Sequence, residues 1–400
     1  MHTTNIVLKV ASRCNLNCTY CYMYNMGDSS YIKQPKVMSR ETKLHFLNRL
    51  KKHFLKHNLK EFTIIFHGGE PMLAGKQFFI DFVRDTLATL PNDTSIGFAM
   101  QTNGVLLDND WCKLFKDLKI QIGISIDGTP KATDEFRIYH NGKGSYNDIV
   151  KGIENVGKVF GKERLGLISV INTKESAVEV YRHLSTFEPY SISFLFPDTN
   201  FAHSTSDQVP KVGDWLIEVF NEWYNDKSKN KPIVKPLSQL VLLLLGNRYS
   251  GNELFGRLIN DSIVVETDGS IETVDTMRIC GEGFTRNQLN VLNNDFDDIY
   301  QTEIAQIYHD GHKKVCKICE ECPILDICGG GYVVTRFSNK SGFDNPSIYC
   351  NEIIKLVAHV QNRIFSDIPD HIVKSTNIQK MDYMEIQEYV DTLKLKYNEI

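Results

Sequence analysis

NIVLKVASRCNLNCTYCY, Asn5 to Tyr22, decides how the rest of the chain is read. Its first seven residues, Asn5 to Ala11, are mostly apolar and rich in β-branched side chains, so they read as a buried strand. The strand empties into Cys14, Cys18 and Cys21, spaced C-x3-C-x2-C. A strand that delivers chemistry at its C-terminal end is the habit of parallel α/β folds.

The pattern repeats outward from there. FTIIF (Phe62–Phe66), IGFAMQT (Ile96–Thr102), IQIGISI (Ile120–Ile126), LGLISVI (Leu165–Ile171) and YSISFLF (Tyr190–Phe196) read as further strands. Helical stretches fall between them. One starts at the N-cap residue Ser39 with Leu44, Leu47, Leu50 and Phe54 on one face. Others cover about 76–90, 109–118, 146–159 and 177–186. Six βα units in series predict an α/β fold, a partial (β/α)6 TIM-type barrel. The second strand runs into HGGEP, the third into TNG and the fourth into SIDG, so four unusual motifs share one rim.

At 400 residues, 42% hydrophobic and 24% charged, the chain can build two or three ordinary globular domains. A net charge of −4 leaves no footprint for nucleic acid. No basic, then apolar, N-terminal stretch reads as a signal peptide. The longest apolar run, Leu240–Leu245, is far short of the roughly 20 residues that span a bilayer. A cytoplasmic protein is therefore expected, with no membrane partner. There, ten cysteines are thiols or metal ligands rather than disulfides. The expected boundaries are a barrel over 1–225, a linker and bridging helix over 226–260, a small cysteine-rich module over 261–360 and a polar helical tail over 361–400. Metal, rather than a large core, would hold the small module together. Cys112, mid-helix among apolar residues, is expected to be a buried thiol.

Three clustered thiolates suit an iron–sulfur cluster. A [4Fe–4S] cube has four irons, so three ligands leave one open to a small molecule. Zinc accepts the same ligands but prefers paired C-x2-C units and a fourth protein ligand, and none is near.

C-x3-C-x2-C after a first strand and GGEP after a second resemble the radical S-adenosylmethionine superfamily. In that family the open iron chelates the cofactor's amino and carboxylate groups. One electron then cleaves it to methionine and a 5′-deoxyadenosyl radical, which abstracts hydrogen from substrate. The resemblance implies that Gly68, Gly69, Glu70 and Pro71 hold the methionine amino group, with Gly68 and Gly69 letting backbone approach closely. It places Tyr20 near adenine. Ser125 and Asp127 are then suited to the carboxylate and ribose, with Arg137 as a carboxylate partner and Asn103 on the same rim. No catalytic base is identifiable.

Cys319, Cys322, Cys328 and Cys350 resemble the SPASM module of peptide-modifying radical enzymes, where such positions ligate an auxiliary [4Fe–4S] cluster; a zinc ribbon is the rival. The fuller pattern is broken, since Val274 and Tyr332 stand where it has cysteines. Cys280 and Cys316 are left over, either as ligands of an unusual second cluster or as spare thiols. CNLNCTYCYMYNMGDSSY, HGGEP, ETDGSIETVD and CGGGY…GFDNPSIYC together resemble SPASM enzymes that mature ribosomally made peptides, among them those that form a cyclophane. The main expectation is an aromatic-to-Cβ crosslink in a precursor peptide, with flavodoxin or ferredoxin as electron donor. The alternatives are a thioether crosslink, an anaerobic sulfatase-maturating enzyme, against which Val274 and Tyr332 weigh, and a non-catalytic metal scaffold. With the first strand at about Asn5, no leader-binding domain is expected in front of it.

Overall fold

The computed structural model describes residues 1–161, 164–369, 371–372 and 379–397. Of the expected tail, residues 370, 373–378 and 398–400 lie outside the described residues. Two compact units emerge: residues 1–169, 183–192 and 261–308 form one, and 170–182, 193–260 and 309–400 the other.

The first unit carries the barrel sheet. Its strands are β1 (Asn5–Ala11), β2 (Glu61–Gly68), β3 (Ser95–Thr102), β4 (Ile120–Ser125) and the start of β5 (Gly166–Val170). All pair in parallel, with Ile6 opposite Ile64, Phe66 opposite Met100, Thr102 opposite Ile124 and Ile124 opposite Leu167. β6 (Ser191–Leu195) completes the expected six. The helices between them are α1 (Arg40–His57), α2 (Lys76–Thr89), α3 (Asn109–Asp117), α4 (Pro130–Phe136), α5 (Tyr146–Phe160) and α6 (Ala177–Ser185).

Strand alternation sorts the two sheet faces. Ile6, Leu8, Ile64, Phe66, Phe98, Met100, Ile122 and Ile124 are buried. The ring of Phe66 packs on Phe79 and Phe82 of α2, each with centroids 5.2 Å away. These positions therefore form the helix-covered core. The opposite face carries Lys9, His67, Gln101, Gly123 and Ser125. In register, Lys9 stands beside His67 and Gln101 beside Gly123. A polar row thus crosses four strands inside the barrel.

Residues 261–308 enter the first unit because β8 (Ile263–Val265) pairs in parallel with the free edge of β1, Leu8 opposite Val265. β9 (Ile271–Glu272) then pairs antiparallel with β8. Residues 261–308 and 309–360 thus fall in different compact units. The sequence gives no warning, since three apolar residues are too few to read as a strand.

The second unit contains the two-residue β7 (Ile233–Val234), α7 (Val212–Asn225), α8 (Lys235–Leu244), the cysteine-bearing turns α10 (Lys317–Glu320) and α11 (Leu325–Cys328), α12 (Cys350–Asp367) and α13 (Tyr383–Tyr397); α9 (Glu303–His309) lies where the two units divide. α7 and α12 cross closely at Gly213, whose N–H donates to Glu352 Oε2 at 2.8 Å. A Cβ there would stand 2.4 Å from the Glu352 carbonyl oxygen. No helix is long and apolar enough to cross a membrane among the described residues.

Candidate functional site

The loop after β1 is pinned from two sides. Gly69 N–H donates to Ala11 O and Glu70 N–H to Arg13 O, both at 2.9 Å. From the end of α4 and the residues just after it, the Phe136 and Ile138 carbonyls accept from Thr19 and Asn17. Gly68 and Gly69 are needed because the chain itself fills the space a side chain would take. A Cβ on Gly69 would lie 2.0 Å from Tyr24 Oη and 2.4 Å from Arg13 O.

Cys14, Cys18 and Cys21 are half-buried thiols on this loop. Burial pushes Cys14 up to about 12, with the Glu70 carboxylate adding to it, and Cys21 up to about 11. Burial raises Cys18 too, against the pull of Arg137. The thiolates therefore require a cation to form. Donors already converge on sulfur: Leu16 N–H reaches Cys14 Sγ at 3.4 Å and Asn103 Nδ2 at 3.7 Å. Such N–H groups help set the potential of an iron–sulfur cluster. Thiolates at about 2.3 Å from one zinc ion would stand about 3.8 Å apart. Among the described residues, no set of three cysteines is drawn within 4.8 Å. A donor set this open suits a multi-iron cube better than a single ion.

The structure draws the predicted rim residues together around the thiols. Tyr20 Oη donates to Asp127 Oδ2, and Arg137 Nε donates to the same oxygen at 3.0 Å. The guanidinium also lies over the Tyr20 ring. Despite burial, the Asp127 carboxylate holds Arg137 firmly charged. Asn103 Nδ2 donates to Asn15 Oδ1 at 2.7 Å, tying β3 to the thiol loop. Glu70 is fully buried and accepts from Met72 N–H, Thr102 Oγ1 and Asn103 N–H. Burial pushes its carboxyl up to about 7. Pro71 opens a 3-10 turn through Ala74, and Ser125 Oγ accepts from Gln101 at 2.7 Å.

Sequence reasoning missed a group on the barrel's inner face. Lys9, fully buried, donates to Asp275 Oδ2, and Tyr22 Oη donates to the same oxygen at 2.7 Å. His67 Nδ1 lies 3.3 Å from Lys9 Nζ. Burial works against the Asp275 anion, but the Lys9 charge and the hydrogen bonds from Lys9 and Tyr22 outweigh it and hold the carboxyl well below its usual range. Burial and Lys9 lower His67 to about 4, so it is neutral. Tyr22 directly follows Cys21 in the chain, which places the group beside the thiols. The one signal was that Asp275 ends the quoted ETDGSIETVD.

In the second unit, Cys319, Cys322, Cys328 and Cys350 line one cavity with Ile354 and Val390. Cys316 hydrogen-bonds to Cys319, which with burial drives that thiol well up. Cys350 is the first residue of α12, where the helix dipole favours negative charge. Gly329, Gly330 and Gly331 all take positive φ, of 64°, 81° and 70°. Their carbonyls wrap the buried guanidinium of Arg336, another residue the sequence did not single out. Cys280 ends a 3-10 turn in the first unit, and burial pushes it up to about 12. Cys112 is fully buried.

Residues 8–184 match the model of the radical SAM superfamily. The chain is a radical SAM enzyme. The enzyme's cofactors are thus S-adenosylmethionine and a [4Fe–4S] cluster, and its cysteine-rich C-terminal region is SPASM-like. It is 25% identical over 362 residues to the cysteine-type anaerobic sulfatase-maturating enzyme of Clostridium novyi, covering 88% of this chain and 93% of that one. An uncharacterised protein of Methanocaldococcus jannaschii is 34% identical over 240 residues, 59% of this chain and 75% of that one. The solved structure of anSMEcpe with bound AdoMet and Cp18Cys peptide superposes with a TM-score of 0.74 at 21% identity, covering 90% and 98% of the two chains. The enzyme shares that fold.

Proposed function

We propose that the enzyme oxidises a side chain of a peptide at Cβ, in the manner of the anaerobic sulfatase-maturating enzymes it resembles, converting Ser to formylglycine directly or Cys through a thioaldehyde that water hydrolyses with release of hydrogen sulfide. The observation that carries this reading is the polar row of Lys9, His67 and Gln101 inside the barrel, with Asp275 and Tyr22, beside the thiol loop. Likeness over nearly the whole length of a maturase with a bound peptide supports it.

Cys14, Cys18 and Cys21 hold the radical cluster, and the rim from Tyr20 to Arg137 receives the nucleotide. The bound cofactors supply a carbon-centred radical able to take a hydrogen atom from Cβ. The chain's own task is to orient the peptide and manage a proton. Asp275, kept ionised by Lys9 and Tyr22, accepts the proton the substrate loses, a role general bases fill for about 10²–10⁴-fold in rate. Cys319, Cys322, Cys328 and Cys350 hold an auxiliary cluster as the electron acceptor. Flavodoxin or ferredoxin is the expected donor in the cell.

A Cβ-to-ring crosslink is the second reading. Val274 and Tyr332, which depart from the fuller auxiliary-cluster pattern, favour it. Reconstituted enzyme, dithionite and S-adenosylmethionine with Cys-, Ser- and aromatic-containing peptides separate the readings. Formylglycine appears as an aldehyde trapped by a hydrazine. A crosslink appears as the loss of two hydrogens with no aldehyde. Release of 5′-deoxyadenosine with every peptide unchanged would remove both.

A further inference from the structure

A second cluster of metal-type side chains lies at the other end of the sheet. His53 and His57 sit one turn apart near the end of α1, on one face of the helix. Asp297, in the 3-10 turn Phe296–Gln301, meets both. Its Oδ2 stands 2.7 Å from His57 Nε2 and accepts from Lys56 Nζ at 2.7 Å. One ligand atom from each of His53, His57 and Asp297 lies within 4.8 Å of the others.

The hydrogen bonding of His53 is informative. Its Nε2–H donates to the carbonyl oxygen of Thr3 at 2.9 Å. In the neutral ring that leaves Nδ1 with the lone pair. Nδ1 points at Asp297 Oδ1, 3.3 Å away. That oxygen is buried and accepts no hydrogen bond. Two lone pairs therefore face one another in a dry site, which repels; a cation between them turns the repulsion into two bonds. A histidine whose other N–H is fixed on a backbone carbonyl is also the usual way proteins aim a metal ligand.

We propose that His53 Nδ1, His57 and Asp297 bind a divalent transition-metal ion of the zinc class near the N-terminal ends of the barrel strands. Two imidazoles and one carboxylate suit zinc and disfavour magnesium or calcium, which take all-oxygen sites. The fourth position falls to water or to His2, whose ring stacks on His57 with centroids 4.5 Å apart. Lys56 shares the carboxylate and stays on Oδ2. The ion would tie the residues before β1, the end of α1 and the 3-10 turn into one structural clasp, independent of the radical chemistry.

Anaerobic holoenzyme is loaded with zinc, dialysed and assayed for both zinc and iron. Wild type is expected to retain stoichiometric zinc above its iron. His57→Gln and Asp297→Asn should lose that zinc with iron unchanged. Added zinc should raise the thermal midpoint of wild type and not of His57→Gln, and magnesium should raise neither. His57 is partly exposed, so its replacement leaves a folded chain in which to read the loss. No zinc retained by wild type, or equal zinc in wild type and both variants, overturns the proposal.

Discussion

At Gly68 the backbone has φ +140° and an added Cβ would stand 2.0 Å from Ala11 O. Neither strain nor clash can relax without moving β1. Gly68→Ala and Gly69→Ala are each expected to destabilise the fold by about 3 kcal/mol or more, with iron lost from the purified protein. Urea unfolding and iron analysis check this. His67 gives a pH signature. Its folded value of about 4 lies below the ordinary 6.5. Above pH 6.5 both states are neutral and the full contribution is present. As pH falls toward 4 the unfolded chain takes up a proton that the folded one refuses, so stability drops. Over this window the urea midpoint of wild type should fall relative to that of His67→Phe. Asp275→Asn should keep 5′-deoxyadenosine release while cutting peptide product about 10²-fold, the scale of a lost general base. Equal losses of both would instead mean that Asp275 serves the cofactor site.

At the scale of elements, α1 is set by its cap. Ser39 Oγ accepts from Thr42 N–H at 3.0 Å. Ser39→Ala should cost about 1 kcal/mol and Ser39→Gly only a few tenths, measured by thermal or urea unfolding. The helix buries Phe46, Leu47, Leu50, His53 and Phe54, while Leu44, expected on the same face, is 46% exposed. The stripe rotates because Phe46 and His53 both pack against Phe296, from a part of the chain nearly 250 residues on. Helical spacing alone could not rank Leu44 against Phe46. α12 shows the reverse case. Its start at Cys350 places on a helix N-terminus a thiol that the resemblance to SPASM modules singles out and no helical periodicity would.

For the whole molecule, each compact unit carries its own thiol set. Cys322→Ser with Cys350→Ser should lower iron content and abolish peptide product while S-adenosylmethionine cleavage persists, as iron assay and product chromatography would read. Loss of cleavage as well would show that the second unit's metal is needed to fold the first.

The strand order, the thiol triad and the rim motifs were legible because each is local: a run of apolar residues, a spacing, a glycine pair. The sequence alone therefore determined a partial barrel with an open thiol site at its strand ends. Folding decided what depends on register and distance. Val265 beside Leu8, Asp275 against Lys9 and Tyr22, Asp297 between His53 and His57, and Arg336 inside its glycine carbonyls join residues with no periodic relation. Buried charge explains why these matter: in a low dielectric an ionised side chain must find its partner, and only the tertiary fold says which one it finds.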